Sequence, residues 1–335
     1  MQTILIVSDN LFDQVNGVVT TFTNIQRQAA LNNYNVKTIT PSNFRYIAAP
    51  KYPEVKLSFT FGIDKMINDI NPDYIHICTE GPIGLAARNY CNKRKYRYNT
   101  SYHTKFPEFL KKIYGIPEAV TYAYVRWFHK DSSKVLATTN TMVNELKSHK
   151  FKSDIIPWTR GIDRELLKPT VDKQNTDDIV LLYVGRVSKE KSLDKLCKLS
   201  ANHNYNIQIV GDGPYRKKLQ KQYPRVNFVG YKAGAELANY YVNADVFCFP
   251  SLTDTFGIVL IEAMSLGCPV AAYPVAGPID IIESGINGFM DDNLETAIEK
   301  CLALDRHEVY ISSSKWTWEY CWDIFKDNLI FKTQN

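Results

Sequence analysis

Short apolar runs alternate with helix-sized amphipathic stretches along this chain, and the alternation runs through twice. TILIVS at residues 3–8 reads as a buried strand, and a helix follows from about Val18 to Leu31. Further strands are expected at 35–40, 73–79, 97–103, 134–139 and 153–158. Helices are expected at 62–70 and 82–94, as an aromatic pair across 106–130, and at 141–149, with a loop around Pro50 and Pro53. Short strands that are apolar on both sides need cover on both faces, and a helix between successive strands supplies it in a parallel sheet.

The polar stretch TVDKQNTDD (170–178) has the composition of a linker, and DIVLLYVGR (178–186) starts the pattern again. Strands are expected at 206–211, 226–230, 244–250 and 268–273, each pair separated by a helix-sized segment. The reading is therefore α/β with two Rossmann-like doubly wound domains, at 1–158 and 159–314, and a C-terminal helix within 315–335. That tail, KWTWEYCWDIFKDNLIFK, is amphipathic and too apolar to stand free, so it is expected to pack back on the first domain. Open α/β sheets bind ligands beyond the carboxyl ends of their strands, and two in series place a cleft between those ends. Functional residues are expected just after strands.

A chain of 335 residues with 45% hydrophobic and 22% charged residues suits two folded domains and argues against disorder. The net charge of +5 fits an anionic small ligand, an anionic membrane surface or nucleic acid, and chooses among none of them. Seven scattered cysteines, odd in number and without a C-x-x-C pair, read as reduced thiols in a cytosolic compartment with no zinc site. The opening MQTILIVSDN lacks the basic segment of a signal peptide. No apolar run approaches the roughly 20 residues of a membrane span, so membrane contact, at the inner face, would be peripheral.

Several stretches carry chemistry. In YVGRVSKEKSLDKL, Arg186 ends a strand and Lys191 precedes a helix that Ser192 could cap, an arrangement suited to a diphosphate. Taken alone it fits a solvated basic loop better. IVGDGPYRKKL places Gly211 and Gly213 in a turn between strand and helix, with Pro214 in the first helical turn. SDNLFDQVNGVVTT follows the first strand, and Asn16 and Gly17 turn into a helix with free N–H groups. His103 in SYHTKFP and Glu80 in HICTEGPIGLAAR also end strands. TDTFGIVLIE (253–262) sets two acids, Asp254 and Glu262, around a Phe-Gly pair and four apolar residues.

Together and in this order, NGVVTT, IHICTEGPIGLAAR, SYHTKFPEFL, WTRGIDRELLKP, YVGRVSKEKSLDKL, IVGDGPYRKKL, TDTFGIVLIE and SGINGF resemble family four of the retaining glycosyltransferases, which have the GT-B fold. The similarity is greatest to the branch of GDP-mannose-dependent α-mannosyltransferases and sulfoquinovosyl- and glucosyl-diacylglycerol synthases. The resemblance implies that Arg186 and Lys191 neutralise the donor diphosphate and that Asn16 and Gly17 approach it through backbone. It implies that Glu262 binds the ribose hydroxyls and that Asp254, where the branch has Glu, binds the transferred sugar. Phe256, Gly257, Ile258 and Val259 would contact donor phosphate and sugar through N–H groups, with Gly211 nearby. Gly230 and Tyr231 would read the base, guanine or uracil, and His103 would line the sugar site. It implies front-face transfer from a nucleoside diphosphate sugar, without a cofactor or metal ion. No D-x-D motif ends a strand.

The acceptor stays open between a lipid and a glycan. Transfer to modified bases of DNA is an alternative without an arginine-rich run to support it, and a GT-B sugar-nucleotide epimerase is another. The aromatic stretch 114–130 permits peripheral membrane contact but suits a core equally.

Overall fold

In the computed structural model, residues 1–12, 16–50, 52–174 and 176–333 are described, the side chains of Pro53 and Glu54 excepted. Residues 13–15 of the loop after the first strand and Asn175 of the polar stretch lie outside them. Contacts divide the chain into two units, Met1–Arg160 with Trp318–Asn335, and Gly161–Thr317.

The first unit contains β1 (Gln2–Val7), α1 (Gly17–Leu31), β2 (Tyr34–Ile39), β3 (Tyr46–Ala49), β4 (Tyr52–Ser58), α2 (Ile63–Ile70) and β5 (Tyr74–Ile77). It continues with α3 (Pro82–Arg94), β6 (Asn99–Tyr102), α4 (Phe106–Tyr114), α5 (Glu118–His129), β7 (Lys134–Ala137), α6 (Asn140–Ser148) and β8 (Asp154–Pro157). Six strands form a parallel sheet in the order β2-β1-β5-β6-β7-β8. β1 and β5 are apolar on both sides because helices cover both: Ile4 and Ile6 face one core with Phe22 of α1, while Leu5 and Val7 face another with Ile83 and Ala87 of α3.

The segment around Pro50 and Pro53 corrects the loop expected there. β3 and β4 pair antiparallel as a separate two-stranded ribbon. Proline is expected to break a strand, but a two-stranded ribbon has an outer edge along both strands, where a missing N–H leaves no neighbour unpaired.

The second unit contains β9 (Ile179–Val184), α7 (Leu193–Cys197), β10 (Tyr205–Val210), α8 (Arg216–Gln222), β11 (Asn227–Gly230), α9 (Gly234–Asn243) and β12 (Val246–Phe249). It ends with α10 (Ile258–Ser265), β13 (Val270–Ala272), α11 (Pro278–Ile281), β14 (Gly288–Met290), α12 (Leu294–Cys301) and α13 (Arg306–Ser312). Its parallel sheet runs β11-β10-β9-β12-β13-β14, the Rossmann order. β14, only three residues long, is too short to show a pattern in sequence. The polar stretch at 170–178 is anchored within this unit: Thr170 donates its N–H to Asn239 (2.8 Å), and Lys173 binds Asp245 (2.7 Å).

The tail helix, α14 (Trp318–Asp327), belongs to the first unit and is shorter than the 315–332 stretch suggests. Trp318, Cys321, Trp322 and Phe325 recur at helical spacing and enter the core of Phe22 and Trp158. The Trp158 indole donates to the Cys321 carbonyl (2.9 Å), and Trp322 meets Tyr34 edge-on. After α14 the chain returns to extended form, and Lys332 donates its N–H to Asp73 (2.9 Å). Trp322→Ala should cost ~3–5 kcal/mol of stability, because a buried ring leaves a cavity that its neighbours only partly fill. Urea unfolding of the first unit, followed by tryptophan fluorescence, measures this loss.

Candidate active site

In the second sheet the connections diverge between β9 and β12, since β10 lies on one side of β9 and the later strands lie on the other. Such a switch point leaves a crevice at the carboxyl ends of the strands. Lys191 follows β9, Asp254 follows β12, and they meet across it: the ammonium donates to Asp254 Oδ1 at 2.5 Å, with both side chains about four-fifths buried. Asp254 Oδ2 is buried without a hydrogen-bond partner. Burial, the largest single influence, opposes ionisation of this carboxyl, but the Lys191 charge together with hydrogen bonding outweighs it and holds the group below its ordinary range. Arg186, half-buried at the end of β9, accepts the Tyr183 hydroxyl on its carbonyl (3.1 Å).

Ser192 does not cap α7 as expected. It takes a left-handed conformation (φ 56°), its N–H closes the 3₁₀ turn Lys189–Lys191, and its side chain makes no capping bond to α7. Pro214 lies outside α8, which begins at Arg216. Gly211 is required by close packing of two loops: a Cβ there would lie 2.0 Å from the Gly185 carbonyl oxygen. Its N–H donates to the Gly230 carbonyl (2.8 Å), so the Gly211 amide is committed within the protein. Tyr231, next in the chain, is 60% exposed.

TDTFGIVLIE becomes the loop after β12 and the helix α10. Gly257 starts the helix at φ 90° and, having no side chain, supplies no cap to its N–H groups. The N–H groups of Ile258 and Val259 therefore receive no acceptor from the N-cap residue. The Phe256 ring is core, edge-on to Trp316 at 5.6 Å. Glu262, in the second turn of α10, accepts the hydroxyl of the fully buried Tyr241 on Oε2 (2.9 Å). Burial pushes Glu262 above its usual range, and the Tyr241 hydrogen bond works against that rise.

In the first unit, Asn16 caps α1: its Oδ1 accepts the N–H groups of Val18 and Val19, both at 3.0 Å. Two of the N–H groups expected to be free are thus taken, and the cap leaves that of Gly17. The switch point of this sheet lies between β1 and β5. There Asp9 accepts from the Thr79 hydroxyl (2.7 Å) and from the N–H groups of Ile83 (2.8 Å) and Gly84 (3.3 Å) at the start of α3. Burial outweighs these bonds and raises Asp9 to about 6.

His103 ends β6 with both ring nitrogens engaged. Nδ1 faces the buried Arg160 guanidinium (2.9 Å), and Nε2 faces Ser101 Oγ (2.8 Å), which also contacts His76 Nε2 (3.0 Å). A guanidinium can only donate, so Nδ1 accepts and the proton of the neutral ring sits on Nε2. Burial, then the charge of Arg160, holds His103 well below its ordinary value, and burial holds His76 at about 3.

The family described as "Glycosyltransferase Family 4" matches residues 15–166, and "Glycosyl transferases group 1" matches residues 167–310. A GDP-mannose-dependent alpha-mannosyltransferase of Corynebacterium glutamicum is 27% identical over 91% of this chain and 81% of its own. The chain belongs to family four of the glycosyltransferases. An alpha-monoglucosyldiacylglycerol synthase of Streptococcus pneumoniae is 24% identical over 79% of this glycosyltransferase and 70% of its own length. Sucrose-phosphate synthase of Thermosynechococcus elongatus shares the fold, with a TM-score of 0.80 at 18% identity over 98% of each chain. Anabaena HepE, solved in complex with UDP and glucose, has a TM-score of 0.72 at 16% identity over 98% of this chain and 99% of its own. The two Rossmann-like sheets are those of the GT-B fold.

Sequence reasoning did not single out Tyr241, Arg160 or Asp9. Arg160 stands within WTRGID and Asp9 directly after a strand, so position could have marked both. Tyr241 carries no signal of its own, since an aromatic on a helix face reads as core.

The two histidines and Asp9 set opposite pH dependences for the glycosyltransferase's first unit. His76 and His103 stay neutral when folded, so their contribution is present above about 6.5 and is lost as pH falls, that of His76 toward 3. Asp9, raised to about 6, takes a proton when folded before it does when unfolded, which favours the fold as pH falls through 6. Between pH 6 and 5 the two histidines lower stability as pH falls, while Asp9 offsets part of that slope. Asp9→Asn should steepen that slope by about one proton in urea titrations across this range.

Proposed function

We propose that this glycosyltransferase moves a hexosyl group from a nucleoside diphosphate sugar, of the GDP-mannose or UDP-glucose type, to a lipid or glycan hydroxyl with retention of the α configuration. The observation that carries the reading is the Lys191–Asp254 pair across the β9/β12 switch point. It sets a cation, an acid with a free oxygen and the uncapped start of α10 around one crevice. These groups suit the phosphate, the sugar hydroxyls and the phosphate oxygens respectively.

In this reading Arg186 and Lys191 bind the diphosphate, Asp254 Oδ2 accepts a sugar hydroxyl, and Glu262 binds the ribose. The N–H groups of Gly257, Ile258 and Val259 contact phosphate and sugar. The bond between the anomeric carbon and the phosphate oxygen breaks while the acceptor oxygen bonds to the same face. The acceptor proton passes to the leaving phosphate oxygen. Arg186, Lys191 and the α10 dipole stabilise the charge that develops there, which is the work a divalent ion would otherwise do. Asp254 is too closely held by Lys191 to serve as a nucleophile.

The membrane reading concerns surface contact, since no helix among the described residues is long and apolar enough to cross a bilayer. A panel of GDP and UDP sugars tested by thermal shift decides the donor. One of them should raise the melting temperature and be slowly hydrolysed, and Arg186→Ala should abolish both effects. If no nucleotide sugar stabilises the wild type, the reading fails.

A further inference from the structure

Tyr241 has a place in the second unit that its sequence position does not reveal. Its ring lies in the core of α9, fully buried, against Phe247 at 5.6 Å and among Leu260, Ile261 and Met264 of α10. A phenol in such a place needs an acceptor for its hydroxyl, and here the acceptor is Glu262 Oε2 at 2.9 Å. The bond joins α9 to the second turn of α10, the helix that begins at the Asp254 loop. Its strength derives from the carboxylate charge, and its direction from a ring that packing prevents from turning. Glu262 is otherwise a side chain with three rotatable bonds. With Oε2 held, the carboxylate plane is set and Oε1 becomes the acceptor left for a ligand.

We propose that Tyr241 is a positioning residue for the donor nucleotide: it locks the Glu262 carboxylate so that Oε1 is presented to the ribose diol. The inference rests on the reading of Glu262 as the ribose-binding acid. Under it, the enzyme distinguishes ribo- from deoxyribonucleotides through a hydrogen bond ordered from behind the site by a residue that touches no ligand.

The experiment uses the intact chain and whichever of UDP or GDP stabilises the wild type, with its 2′-deoxy and 3′-deoxy forms. Calorimetric affinities are measured for wild type, Tyr241→Phe, Glu262→Gln and the double variant. Wild type should bind at least one deoxy form about tenfold more weakly, the value of a hydrogen bond to a charged group. Tyr241→Phe, which keeps the ring, should weaken ribonucleotide binding by about as much and shrink the deoxy penalty. The double variant should be no worse than Glu262→Gln alone, and in turnover the change should fall on the donor KM far more than on kcat. A role confined to packing would lower the melting temperature and leave the deoxy penalty intact. If wild type shows the penalty and Tyr241→Phe keeps all of it, the positioning role is wrong while the ribose reading stands. If wild type shows no penalty with either deoxy form, both fall.

Discussion

A parallel sheet covered on both faces leaves no room for chemistry along its strands. In β9, Val180, Leu181, Leu182, Tyr183 and Val184 are all buried, and an unpaired charge at any of them would meet core on either side. Polar function is pushed to the loops, and the place where two successive loops part is the switch point. Each unit fills that place with a carboxylate, to different effect. In the second unit Asp254 meets a lysine and retains an oxygen without a partner. In the first, Asp9 is closed off by a hydroxyl and two amides. One arrangement is built to exchange partners and the other to stay shut.

The helix starts show a parallel difference. α1 is capped by its own asparagine, so its first turn is largely satisfied before a ligand arrives. α10 is introduced by a glycine that reaches its position only through a positive φ and brings no acceptor. An uncapped helix start forgoes about 1 kcal/mol of stability. Next to Asp254, a phosphate can make that loss good.

The sheets, their covering helices, including the one that carries Glu262, and the loops that carry Arg186, Lys191 and Asp254 were legible in the sequence, because each rests on a local period or on a position soon after a buried strand. What was not legible depended on strand pairing, backbone conformation or partners far away in the chain. The β3–β4 ribbon was hidden by Pro50 and Pro53, whose usual meaning holds for central strands. Ser192 has the composition of a cap and the backbone of a stop. Gly211 looked like a ligand-facing glycine, but the Gly185 carbonyl occupies the space beside it. The tie between Tyr241 and Glu262 joins two helices that sequence shows only as two separate amphipathic patterns.

The Lys191–Asp254 pair also bears on how an anion reaches the site. Two bare cations at the carboxyl end of β9 would project a field several ångströms into solvent and draw phosphates in from a distance. Asp254 cancels one of those charges at a separation of 2.5 Å, well inside the Debye length of about 8 Å at physiological ionic strength. From afar that pair looks nearly neutral, and the lysine becomes electropositive only as an arriving ligand draws it from its carboxylate. Recognition at that residue is a short-range exchange of partners, largely insensitive to added salt, and long-range attraction falls to Arg186 and the dipole of α10.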